Sequence, residues 1–83
     1  MRACLVGELN LLVPPDRWPE RVTAQTRYRQ KAAPVRIVWP EPGLLRLEFE
    51  APADRPAPGQ VAAVYDAAGR VLAGGVIQEN VGV

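Results

Sequence analysis

Histidine is absent from this chain, and Cys4 is its single cysteine. An intrachain disulfide is therefore impossible, and neither a zinc site nor histidine acid/base chemistry has the residues it needs. Nothing identifiable near Cys4 would lower its thiol pKa or act as its base, so it reads as a small buried hydrophobe. Long apolar runs are missing too. Residues 3–6 (Ala-Cys-Leu-Val) are too few for a signal-peptide core or a membrane span, and no later run is long enough. The expected location is the cytoplasm, with no membrane partner. There is no phosphate-cradling glycine loop of the Walker or dinucleotide type. Gly74-Gly75 lacks that spacing and the following helix, and is expected to mark a bulge or a close backbone approach in the last strand.

The chain has 83 residues, enough for one small domain spanning 1–83 and too few for a second lobe. Hydrophobic residues make up 48% and charged ones 23%, the balance of a folded globular protein rather than a disordered tail. Nine prolines and seven glycines cut the apolar runs short, which favours turns and strands over long helices. The net charge of +1 conceals an asymmetry: residues 1–39 carry seven bases against three acids, and residues 40–83 three against six. Within residues 17–36, six bases face Glu20 alone, a density that attracts polyanions.

Six strands are expected from β-branched and apolar enrichment between breakers. They run Cys4 to Val13, Arg21 to Arg29, Pro34 to Trp39, Leu44 to Glu50, Gln60 to Tyr65 and Arg70 to Gln78. Residues 52–58 form a loop, and Asp66-Ala67-Ala68-Gly69 a hairpin turn. The fourth strand alternates cleanly, with Leu45, Leu47 and Phe49 on one face and Arg46, Glu48 and Glu50 on the other. So many short antiparallel strands bury a core most economically by closing. The expectation is all-β: a small, closed or partly closed Greek-key barrel, with an open sandwich as the alternative.

At a period of two, Arg21, Gln25, Arg27 and Arg29 share one face of the second strand. Guanidinium groups match phosphate bidentately and stack on bases, so this face and the turn Pro58-Gly59-Gln60 are the candidate polyanion contacts. An arginine-rich strand edge also prevents pairing with other chains, which needs no ligand to explain it. Trp18 and Trp39 stand beside prolines at element ends, where they cover a barrel mouth or stack on a base. Glu48 and Glu50 are read as solvation of a strand face and carry no catalytic role.

Several stretches occur in an order that resembles a known family. They are Gly7-Glu8-Leu9-Asn10 with Pro14-Pro15, Thr26-Arg27-Tyr28-Arg29-Gln30, Pro34, Leu47-Glu48-Phe49 with Pro52, Pro58-Gly59-Gln60 followed by Val61, Val64 and Tyr65, and Leu72 to Ile77. Together they resemble the C-terminal β-barrel domain of bacterial tRNA-specific 2-thiouridylases. The resemblance implies a barrel similar to those of translation factors, appended to a catalytic domain that thiolates the wobble uridine of certain tRNAs. By position it implies tRNA contacts at Arg27, Tyr28 and Gln60, with Arg29 beside them. The family's ATP-pyrophosphatase loop, with its Ser-Gly-Gly-x-Asp-Ser signature, and its two sulfur-delivering cysteines have no counterpart in these residues. ATP would therefore belong to a separate domain or chain, and this region would need no cofactor. Two departures stand out. Gln25 takes a position that is usually basic, and Ala73-Gly74-Gly75 replaces three glycines. Alternation also puts Tyr28 with Val22 and Ala24 on the core face, so Tyr28 either supports Arg27 or touches RNA through a bulge.

Two functions follow as expectations. In the first, the barrel is a non-catalytic tRNA-binding accessory domain of a 2-thiouridylase. In the second, it is a docking module whose arginines pair with acids on another protein and which binds no RNA.

Overall fold

A computed structural model describes residues 2–27, 31–53, 56 and 59–81. Six strands form: β1 (Ala3–Leu11), β2 (Val22–Gln25), β3 (Ala33–Glu41), β4 (Leu44–Phe49), β5 (Val61–Tyr65) and β6 (Val71–Val81). They close into an antiparallel barrel in the order β1-β4-β3-β2-β5-β6. Strands β2, β3 and β4 follow one another around the wall and β1 lies beside β4, a Greek-key arrangement. The expected all-β barrel of six strands is the observed one.

Alternation explains the core. Along β4, Leu45, Leu47 and Phe49 point inward, and along β5 so do Ala62 and Val64. They meet Cys4, Val6, Val22, Ala24, Val35, Leu72 and Ile77 in one continuous cluster. Cys4 is fully buried, and burial pushes its thiol pKa up to about 11. On the outer wall, the Glu48 carboxylate takes Arg46 Nε at 2.9 Å and Arg36 Nε at 3.0 Å. The Arg46 hydrogen bond is the main reason that its pKa lies below the ordinary carboxylate value.

The stretch Gly7 to Asn10 is a bulge. Gly7 pairs with Val76 and Asn10 with Gly74, so β1 spends one residue more than β6 across this gap, and Glu8 takes a φ of 47°. Facing it, a Cβ on Gly75 would lie 2.7 Å from Gly7 O and 2.6 Å from Val6 Cγ1. Gly74 has no such neighbour, its nearest being Ala62 O at 3.6 Å. The expected close approach therefore belongs to Gly75 alone.

Strand limits differ from the pattern-based reading. β2 stops at Gln25 rather than Arg29, and Arg21 lies just before it. Inside–outside alternation nevertheless persists past the ladder, with Thr26 1% exposed and Arg27 exposed. Inside–outside alternation therefore outlasts strand pairing here. β3 runs on through Trp39 and Pro40 to Glu41, with a register shift between Val38 and Glu41 that tolerates the proline. β6 extends three residues past Gln78 to pair with β1 at its start, Ala3 with Val81.

Candidate nucleic-acid interface

Because all neighbours are antiparallel, the barrel has two distinct ends. One gathers the start of β1, β3 and β5 with the finish of β2, β4 and β6; the other gathers the opposite termini. Arg27 and Gln60 fall at the first end. β2 pairs with β5 as Thr23 with Tyr65, Ala24 with Val64 and Gln25 with Ala63. Carried onward, that register sets Arg27 level with Val61, whose side chain is 65% exposed and which follows Gln60 directly. Two candidates about thirty residues apart in sequence thus come to one end of adjacent strands.

Backbone hydrogen bonds fix the approach to Gln60. Gly59 N donates to Ile77 O and Ile77 N to Gln60 O, both at 2.8 Å. Gly59 has a φ of 95°, which favours glycine and turns the chain into β5. The Gln60 side chain is exposed. Arg2 and Lys31 are exposed at the same end, as are Glu50 and Glu79. Tyr28 and Arg29 lie outside the described residues, as do Gln30 and Pro58 of the same motifs.

Gln25 is half-buried on the outer face of β2, two residues before Arg27 and therefore on the same side. Tyr65 Oη donates to Gln25 Oε1 at 2.9 Å. Tyr65 is level with Thr23 and Gln25 with Ala63, so the phenol spans a diagonal that the small Ala63 leaves open. Sequence reading put Gln25 on this face but could not find its partner, because the pairing depends on register between strands 40 positions apart.

The opposite end is crossed by residues 12–21. Trp18 and Trp39 pack there with ring centroids 5.7 Å apart and planes tilted by 48°. Trp18 Nε1 donates to Val13 O at 2.8 Å, and Trp18 packs on the core, while Trp39 remains 37% exposed. Trp39, expected as the last residue of this strand, lies two residues before the end of β3. A groove of about 1010 Å³ runs from this pair along the outside of β2 and β3, past Arg21, Arg36 and Glu50. Arg21 therefore opens onto the groove and stands at the other end of β2 from Arg27. Among the described residues no group of histidine, cysteine, aspartate or glutamate could hold a metal ion, and no helix is long and apolar enough to cross a membrane.

Geometry of this kind defines a compact β-barrel module with a polar end and an aromatic end. Residues 1–77 match the aminomethyltransferase beta-barrel domain, and the chain belongs to that family. The relatives are more particular. It is 51% identical over 76 residues to the tRNA-specific 2-thiouridylase MnmA of Nitratidesulfovibrio vulgaris (strain Miyazaki F), a match covering 92% of this chain and 21% of that protein. The MnmA of Oleidesulfovibrio alaskensis is 51% identical over 78 residues, covering 92% and 22%, and that of Aquifex aeolicus 46% over 78, covering 93% and 21%. The chain thus spans about a fifth of the length of these relatives, in their short C-terminal region.

Proposed function

We propose that this barrel is a tRNA-binding accessory domain of a tRNA-specific 2-thiouridylase and carries no catalytic step of its own. The observation that supports it most is the convergence of Arg27 and Gln60 on one end of β2 and β5, in a chain whose relatives are named for action on tRNA. A guanidinium and a primary amide beside exposed Arg2 and Lys31 suit a sugar–phosphate backbone, which such groups hold in register without reading sequence. Arg29, and Tyr28 on the reading in which it touches RNA, would widen this contact. On this reading the domain holds tRNA in the cytoplasm and needs no cofactor. ATP and sulfur chemistry belong to the pyrophosphatase part, on the same or a separate chain.

The test is a titration with total tRNA at several salt concentrations, beside a DNA duplex of similar charge. Arg27→Ala should weaken tRNA binding and lower the salt slope by about one unit. Arg70→Ala is the control, because Arg70 pairs with Asp66 at the opposite end, Nε to Oδ2 at 3.3 Å. Equal binding to both polyanions, or equal effects of both substitutions, would replace this reading with that of a docking module.

A further inference from the structure

Gln25 and Tyr65 form a built polar pair on the outer wall, next to the residues that carry the proposed tRNA contact. We infer that Gln25 is an additional tRNA-contacting residue, its amide offering N–H donors to an acceptor oxygen of the sugar–phosphate backbone, and that Tyr65 is the positioning residue that orients it. The inference rests on the tRNA-binding reading and deepens it.

Three observations carry it. First, burial alternates through Ala24, Gln25, Thr26 and Arg27 as inside, half-buried, inside and exposed, so Gln25 and Arg27 open to the same side of β2. Second, the Tyr65 hydroxyl holds Oε1 of Gln25 at 2.9 Å. A glutamine side chain on a strand surface ordinarily samples several rotamers; fixing its carbonyl fixes the NH2 group as well, so less entropy is lost when a ligand takes that donor. Third, the bond is diagonal. Tyr65 belongs to the level of Thr23 and leans toward Arg27's end of the strand, across the place where Ala63 has only a methyl group. A larger residue at position 63 would block the phenol, so Ala63 is part of the arrangement.

The chemistry differs from that of Arg27 in a measurable way. An amide donates without charge, so it adds affinity without releasing counterions. Gln25→Ala should weaken tRNA binding about three- to tenfold, the range of one neutral hydrogen bond, and leave the salt slope unchanged. Tyr65→Phe keeps the ring and removes only the hydroxyl; it should weaken binding to a similar or smaller degree. The double variant should bind no more weakly than Gln25→Ala alone, since Tyr65 acts only through Gln25. Gln25→Glu preserves the acceptor for Tyr65 but replaces the donor with a negative charge, so it should lose more than tenfold while melting at the wild-type temperature. A merely structural pair would not respond in that way.

The experiment is this set of variants titrated with total tRNA in the chain as it stands, with melting curves alongside. Wild-type affinity in Gln25→Glu, or additive losses in the double variant, would overturn the inference while a weakened Arg27→Ala left the tRNA-binding reading intact. Absence of any tRNA preference in the wild type, by contrast, would remove the reading and the inference together.

Discussion

Residues 12–21 cross one end of the barrel on aromatic and proline side chains, whereas at the other Pro56 is buried and tethered by Asn80, whose Nδ2 donates to Pro56 O at 2.8 Å. At the aromatic end, Trp18 packs on the core and Trp39 leans on it; Leu11, Leu12 and Val71 are exposed at the same end. At the polar end, the exposed groups include Arg2, Arg27, Lys31 and Gln60, with Val61 the one large exposed hydrophobe among the described residues there. On the proposed reading, one small barrel keeps stability and tRNA contact at opposite ends. Aromatic packing closes one mouth so that the other can be built from polar groups held by backbone and single side-chain hydrogen bonds.

If that separation holds, damage to the two ends should have different consequences. The largest effect is expected from Trp18→Ala, which removes its packing on the core, its hydrogen bond to Val13 O and its packing on Trp39. Denaturant unfolding should lose about 3 kcal/mol, while tRNA affinity, measured where the variant is still folded, stays at the wild-type value. A smaller loss of about 1 kcal/mol is expected from Asn80→Ala, which frees the Pro56 carbonyl. Here tRNA binding should fall as well, because Asn80 lies on β6 three residues beyond Ile77, whose backbone holds Gly59 and Gln60. A result in which Trp18→Ala weakens binding and Asn80→Ala does not would reverse the assignment of the ends.

The smallest effect concerns acid. Glu48 is held below its ordinary value of 4.5, chiefly by the Arg46 hydrogen bond, and Asp66 below 3.8, chiefly by the Arg70 backbone N–H. Each folded-state pKa is depressed, so each contribution is present above the ordinary value and is lost as pH falls through the lowered one. Urea unfolding should show a shallow decline below about pH 4.5, part of which Glu48→Gln abolishes. Both groups lie away from Arg27 and Gln60, so the decline should be the same in Arg27→Ala.

Much of the fold was legible because its signals are local. The alternation of Leu45, Leu47 and Phe49 identified β4 and its inward face. The turn at Asp66 is likewise encoded where it stands: its Oδ1 accepts from Ala68 N and Arg70 N at 2.9 Å, and Gly69 takes a φ of 83°. Strand ends were less legible, since pairing is decided by the neighbour. Thr26 and Arg27 keep the period of β2 after its ladder has ended, and Gln78 is followed by residues that pair only because β1 begins opposite them. The bulge at Glu8 explains why Gly7 to Asn10 and Gly75 belong to one feature, which no spacing along the chain announces. At the candidate site, Arg27 and Gln60 were singled out by residue type and resemblance. Their convergence, and the Tyr65 bond to Gln25, came only with the register of β2 on β5.

The most direct test of the account is a proton–nitrogen correlation spectrum of the labelled protein titrated with tRNA. Both tryptophans lie at the aromatic end, so their two indole N–H signals report on that end alone. The account predicts that backbone amides of residues 25–27 and 59–61 and the Gln25 side-chain amide move or broaden with added tRNA while both indole signals stay in place. Movement of the indole signals, with the amides of Arg27 and Gln60 unchanged, would contradict it.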